Sequence, residues 1–416
     1  MRGRYNVLMQ SRALLTLFFT IFLDMVGVGI LIPVIPVLLA DPASPHYLLP
    51  LGTDARTGYV LLGIMLALYS LGQFIAAPII GQLSDKYGRK RLLMLSIAGT
   101  AIGQSLFALG VLTKSLGLLL VVRLLTGMST GNIVVSQAAI ADLTTPENRA
   151  KNFGLIGAAF GLGFIVGPFL GGKLADPSVV SWFNAATPFW FASALSVLNL
   201  MFVYFMFRET NTRMNLHTKL VWAKALHNIA HAFRTKELRH IFLTGFLFQS
   251  GFAFYVTFMN VFLFFRFGFN EGSIGNYFAY VGLWIVFAQA VVTRLVSRKF
   301  KETQVLRNTI FTSGIAILAI FLSPEASWLY FIVPFFAISM GLTQANLTGL
   351  LSRSATPSMQ GQVLGINGSL SALANTIPPL IAGTIAASFE PSAPLLIAAI
   401  IIILSGLYFV NHLRRG

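Results

Sequence analysis

Asp24 is the residue whose place in the chain most demands a chemical explanation. It opens the string Asp24-Met-Val-Gly27-Val-Gly29-Ile-Leu-Ile-Pro33-Val-Ile-Pro36, inside an apolar run that follows Arg12. At about 1.5 Å per helical residue it lies ~18 Å beyond Arg12, near the middle of a bilayer if the run crosses one. A carboxylate at that depth costs ~2.5–3.5 kcal/mol or more. It must be protonated, paired or facing water. Two readings stand: a structural Asp bonded to a neighbouring span, or a carboxylate that takes up and releases a proton.

Arg123 is the matching cation. It begins Arg123-Leu-Leu-Thr126-Gly127-Met-Ser-Thr130-Gly131. It sits about 10 Å into its apolar run from one end, at a depth near that of Asp24. Around a continuous helix Arg123, Gly127, Thr130, Gly131, Val134, Gln137 and Ala141 share a face, and Asn132 points the opposite way, toward packing or lipid. An Arg here can snorkel to the nearer surface. The shared depth instead leads us to expect Arg123 to pair with Asp24 and hold it ionised while the cavity is empty.

Other chemistries lack their residues. There are no cysteines, so thiolate nucleophiles, disulfides and Cys-based metal sites are excluded. Four of the six histidines, His217, His227, His231 and His240, fall in one basic segment without Cys or carboxylate support, and no metal site is expected. Neither a GxxxxGK[ST] phosphate loop nor an HExxH pair occurs, so neither an ATP-driven device nor an enzyme is indicated. Gln137, Gln249, Tyr255, Asn260, Gln344 and Asn346 are polar positions inside apolar runs. With 37 Phe they suit a wide, greasy, hydrogen-bonding substrate cavity.

The elements that must position these groups are membrane spans. Of 416 residues, 56% are hydrophobic and 10% charged, too few charges to clothe soluble domains. Twelve apolar runs fall near 13–40, 57–82, 92–112, 116–141, 150–172, 186–207, 241–265, 273–294, 305–323, 327–350, 361–388 and 393–412. Segment 41–56 reads as a polar loop. The run from Leu14 to Ala40 is too long for a cleaved signal core and is expected to be retained. With both termini inside, 24 Lys and Arg fall in interior segments and 4 in exterior ones. That bias predicts cytoplasmic termini in a cell or inner membrane, and it explains the net charge of +16 without nucleic acid.

The chain also repeats itself. Shifted by 211 residues, Thr145, Pro146, Gly154, Gly157, Leu162, Pro168 and Gly172 fall on Thr356, Pro357, Gly365, Gly368, Leu373, Pro379 and Gly383. We expect an all-α membrane protein of two parallel six-helix bundles, 1–207 and 241–416, joined by a linker, 208–240. Part of that linker, Leu220 to Phe233, is helix-compatible.

Four motifs carry a resemblance. Gly81-Gln-Leu-Ser-Asp85-Lys-Tyr-Gly88-Arg89-Lys90-Arg91 is similar to the loop signature of the major facilitator superfamily. The resemblance implies a latch between the halves, made by Gly81, Asp85, Gly88 and Arg89 with Asp142 as a relay partner. Gly163, Gly167-Pro168 and Gly171-Gly172 resemble the antiporter signature of that superfamily's drug:proton exporters, a stripe on which two helices approach closely. The Asp24 string resembles the first span of tetracycline and related multidrug exporters, and the Arg123 spacing resembles the superfamily's span-4 motif, in which the Arg is assigned to proton transfer. Those features imply a proton-coupled exporter of small apolar or amphiphilic molecules, acting as a monomer without a cofactor. An importer or facilitator of sugars, peptides or lipids is the other reading. Several tetracycline exporters carry a further acid in their third span, where this chain has Gly103-Gln104.

Overall fold

The computed structural model describes residues 2–42, 44–50, 52–144, 149–211, 220–221, 238–354 and 360–413. Among them there is no strand, and twelve helices are long and apolar enough to cross a membrane. These spans are Arg12–Leu39, Ala55–Tyr87, Arg89–Leu112, Leu116–Leu143, Ala158–Ala175 and Thr187–Met206, then Arg239–Phe267, Glu271–Val296, Glu302–Leu322, Ala326–Leu351, Gly365–Ser388 and Ala393–His412. They are numbered 1 to 12. Most lie within a few residues of the apolar runs. Span 2 extends further, because the motif from Gly81 stays helical to Tyr87 and turns only at Gly88. The backbone there has φ 97°, which glycine alone adopts cheaply.

Two spans expected to be continuous are broken. Span 4 consists of Leu116–Ser129 and Asn132–Leu143. At the break the Gly127 carbonyl accepts from both the Thr130 amide (3.2 Å) and the Thr130 hydroxyl (2.7 Å), while Gly131 N–H turns to Ser129 (2.9 Å). A threonine hydroxyl that competes for a helix carbonyl loosens the ladder at that point. Span 11 divides into Gln360–Ala374 and Ile377–Ser388, and Pro378-Pro379 occupy the first turn of the second piece. Proline is tolerated there because that turn has no partner for its N–H. Span 8 contains a π-helical stretch, Ala288–Val292.

Glycines set how the bundles assemble. Span 5 lies along span 1, with Gly163 against Met25, Gly167 against Gly29, and Gly171 against Ile30. Gly172 faces the other way, toward span 8. A Cβ on Gly172 would stand 3.3 Å from the Gly275 Cα, and one on Gly383 would stand 3.3 Å from the Gly63 Cα. Gly172 and Gly383 are the repeat-matched pair. The halves therefore meet through two equivalent seams, span 5 on span 8 and span 11 on span 2.

Both seams lie toward the end opposite the termini, where other contacts join them. Asn260 Nδ2 donates to the Ile32 carbonyl at 2.6 Å, and Tyr59 meets Phe258 and Phe265 edge-on at 6.4 and 6.0 Å. Segment 41–56 is not merely a polar loop. Tyr47, Leu48 and Leu49 are buried in the same core, and Leu48 N–H bonds back to Leu38. This end of the molecule is closed. Most of the linker lies outside the described residues, including His217, His227, His231 and, of the helix expected at 220–233, all but Leu220 and Val221, which are not helical. Thr145, Pro146, Thr356 and Pro357 of the repeat lie outside them too.

Candidate functional site

Asp24 faces a small chamber inside the first six-span bundle. Span 1 contributes Asp24, span 2 Tyr69, span 3 Gln104, span 4 Arg123 and Thr126, and span 6 Ser196. Among the described residues, none of the second half lines it. The space open to the centres of water molecules is about 30 Å³. That is room for roughly one or two waters.

The carboxylate is 8% exposed. Its Oδ1 accepts from Asn132 Nδ2 at 2.8 Å, and its Oδ2 is buried with no hydrogen-bond partner. Arg123, 6% exposed, does not form an ion pair with it. Its guanidinium carbon instead lies 4.6 Å above the Tyr69 ring and 5.9 Å from the Phe107 ring, and its Nε donates to the Met65 carbonyl at 3.4 Å. The expected direct pairing is corrected to a shared chamber. Arginine's flat, weakly hydrated group is well served by an aromatic face.

Asn132 is the second correction. It is 2% exposed and holds Asp24 rather than facing lipid. A helical wheel drawn through positions 130–131 misplaces everything after the break. The Asn132 amide is fixed at both ends, because its Oδ1 accepts the Ile133 N–H at 3.0 Å. Tyr69 had no sequence signal beyond its polarity within an apolar run, and Gln104 stood out only within the stretch where several tetracycline exporters carry a further acid.

The latch residues gather at the end that carries the termini. Arg89 Nη1 lies 2.6 Å from Asp85 Oδ1, and Arg89 Nε lies 3.0 Å from Asp142 Oδ2. Ser84 Oγ accepts from the same guanidinium at 2.6 Å. Gly81 packs toward Val134 of span 4. Among the described residues every partner of Arg89 belongs to spans 1–6 or the segment just after span 6. One was missed in the sequence. Glu209 accepts from the Arg89 and Lys90 amides at 2.8 and 3.0 Å. Span 3 starts straight after Gly88 with no capping side chain, so its free N–H groups needed an acceptor from elsewhere. That gap was a readable signal.

The expected cavity residues divide. Gln137 and Gln344 are exposed, in the parts of spans 4 and 10 nearer the termini. Gln249 is half-buried and donates to Asn375 at 3.3 Å, tying span 7 to span 11. Asn260 bridges the halves. Tyr255 is not on a cavity surface: it is buried, with its hydroxyl 2.9 Å from that of Tyr277 and its ring 4.6 Å from Phe336. Asn346 is buried too, donating to Leu342 of its own helix. A core role fits both better, since buried polar groups must find partners. No group of three potential metal ligands occurs among the described residues. His240 stacks on His412 with centroids 4.0 Å apart.

Comparison with known proteins agrees with this architecture. A family model described as Major Facilitator Superfamily matches residues 17–379. The tetracycline resistance protein, class H, of Pasteurella multocida is 33% identical over 380 residues, covering 89% of this chain and 88% of that one. The class B protein of Escherichia coli is 32% identical over 375 residues, covering 90% and 88%. Among solved structures, that of the human organic anion transporter MFSD10 (TETRAN) superposes with a TM-score of 0.74 at 23% identity, covering 96% of this chain and 99% of that one.

Proposed function

The chain belongs to the Major Facilitator Superfamily and is a multi-pass membrane transporter, and from that premise we propose that it is a proton-coupled exporter of small apolar or amphiphilic organic molecules. The bundles 1–207 and 241–416, joined by the linker 208–240, rock about a central site. Both termini lie in the cytoplasm, the protein sits in a cell or inner membrane, and a monomer is the working unit. The observation that carries this reading is the buried, unpartnered Oδ2 of Asp24 beside a chamber of water size. A lone carboxylate there is a place for one proton. Each proton entering down 100 mV supplies ~2.3 kcal/mol, which is free energy enough to move a cargo uphill.

The cargo site lies apart from that chamber, between the halves. The exposed Gln137 and Gln344 are the hydrogen-bonding groups we assign to it. Asp24 and Arg123 share one chamber, so their opposite charges give no preference for a cationic cargo. Gln104 stands in the stretch where several tetracycline exporters carry a further acid, and it lines the Asp24 chamber. An amide there argues for an organic cargo rather than a metal chelate.

The test is transport in proteoliposomes under an imposed pH gradient, with a fluorescent amphiphile and tetracycline as cargoes. Accumulation against the cargo gradient that collapses with a protonophore supports the reading. Equilibration that ignores the pH gradient discards coupling and establishes a facilitator.

A further inference from the structure

Spans 2, 3 and 4 all run from the chamber to the latch, and span 4 carries the residue that hydrogen-bonds Asp24 itself. Its second half, Asn132–Leu143, begins at the residue that holds Asp24. One residue before its end is Asp142, which pairs with Arg89 of the latch. Ten residues of continuous helix separate them, about 15 Å. The break at Thr130–Gly131 frees this half-helix from the half that carries Arg123. A rigid rod hinged at one end, with polar contacts at each terminus, can carry a displacement between them.

We propose that Asn132 is a positioning residue that passes the protonation state of Asp24 along the second half of span 4 to the latch. The inference rests on the proton-coupled reading above. The chemistry is local. The Asn132 amide donates to an ionised carboxylate, and charge-assisted hydrogen bonds are roughly twice as strong as neutral ones. A proton arriving on the free Oδ2 neutralises the acceptor and weakens that bond. Asn132 cannot compensate by flipping its amide, because Oδ1 already caps the Ile133 N–H at the start of the half-helix. The hold on the half-helix loosens, and Asp142 moves relative to Arg89. The titratable groups facing Asp24 are Tyr69 of span 2 and Arg123 of span 4. Spans 3 and 6 present only Thr100, Gln104 and Ser196, and span 5 presents its glycine stripe. None of the last group changes charge, so a pH response here is read through Asp24.

The chain has no native cysteine, so spin labels at two introduced cysteines mark only those sites. Gln137 on the half-helix and Thr348 on span 10 are both exposed. Distance distributions between labels at Gln137→Cys and Thr348→Cys are measured in nanodiscs at about pH 5 and about pH 8, a range that covers the upper tail of carboxylate titration at buried positions. The parent is expected to change the ratio of its two distance populations by about threefold or more. Asn132→Ala should give one pH-independent distribution. Asn132→Ser, which keeps a donor and a helix cap, should restore the response. If Asn132→Ala disturbs folding, Asn132→Ser and Asp24→Asn still decide the matter: the first must respond to pH and the second must not. A full pH response in Asn132→Ala overturns the positioning role alone. Unchanged uphill transport in Asp24→Asn overturns the proton-coupled reading beneath it.

Discussion

The two six-span halves are built on one plan and carry different chemistry. In the first, the middle of the bundle holds Asp24, Arg123, Tyr69, Asn132 and Gln104 around a water-sized space. In the second, the corresponding interior is closed with neutral pairs, Tyr255 with Tyr277 and Thr343 with Thr309. Neutral hydroxyl pairs satisfy one another at little electrostatic cost, whereas a buried carboxylate with a free oxygen stays costly until a proton arrives. The seams between the halves are alike, Gly172 on Gly275 and Gly383 on Gly63. Duplication thus kept the hinges symmetric and left the ionisable machinery on one side.

The largest expected effect breaks that asymmetry outright. Asp24→Asn removes the one deep carboxylate of the spans and should reduce uphill transport in proteoliposomes to the level of empty vesicles. Downhill movement and cargo binding should persist. Arg123→Ala comes next. It strips a cation from the Tyr69 and Phe107 faces and leaves the chamber with an uncompensated acid. We expect a loss on the order of tenfold in coupled transport rate, ~1.4 kcal/mol in barrier. Arg123→Lys should recover only part of it, because an ammonium does not stack as a guanidinium does. Full recovery by lysine would reduce Arg123 to a point charge.

The third effect concerns the shared architecture. Leucine at Gly172 or at Gly383 drives a side chain into the partner backbone, and overpacking of this kind costs ~1–3 kcal/mol. The strain applies where the halves close at the end opposite the termini. Both variants should therefore favour the state open at that end and slow exchange several-fold. Labelling of a single cysteine placed near Asn260 should increase in each to a similar degree. Unequal responses would show that the seams differ despite their matched geometry.

Much of this was legible in the residues. Twelve apolar runs, loop charge and the 211-residue repeat give the number of spans, and the repeat-matched glycines are the ones that form equivalent seams. Asp24 and Arg123 were legible as neighbours in depth. Their actual partners were not, because the wheel that placed Asn132 assumed one unbroken helix through Thr130–Gly131. A hydroxyl competing for a carbonyl is a local event with no hydropathy signature. Tyr255 and Asn346 were misjudged for a related reason. Periodicity shows that a polar residue lies in a span, but only packing shows whether it meets a cavity or another side chain.

The smallest effect tests the second half. Tyr255→Phe and Tyr277→Phe each remove one hydroxyl from a buried pair and leave the ring packing, including Tyr255 against Phe336, in place. Deleting one member strands the other, at a cost of ~1–3 kcal/mol. The double variant strands neither and should recover most of that stability. Thermal unfolding in detergent should therefore show both single variants below the double one. Coupled transport should change less than twofold in all three, well inside the tenfold scale expected for Arg123→Ala. The pair sits in the closed core of the half with no buried charge among its described residues, so its work is to hold the helices together. A pH profile altered by Tyr255→Phe would place proton handling in the second half as well, and the division between the bundles would no longer hold.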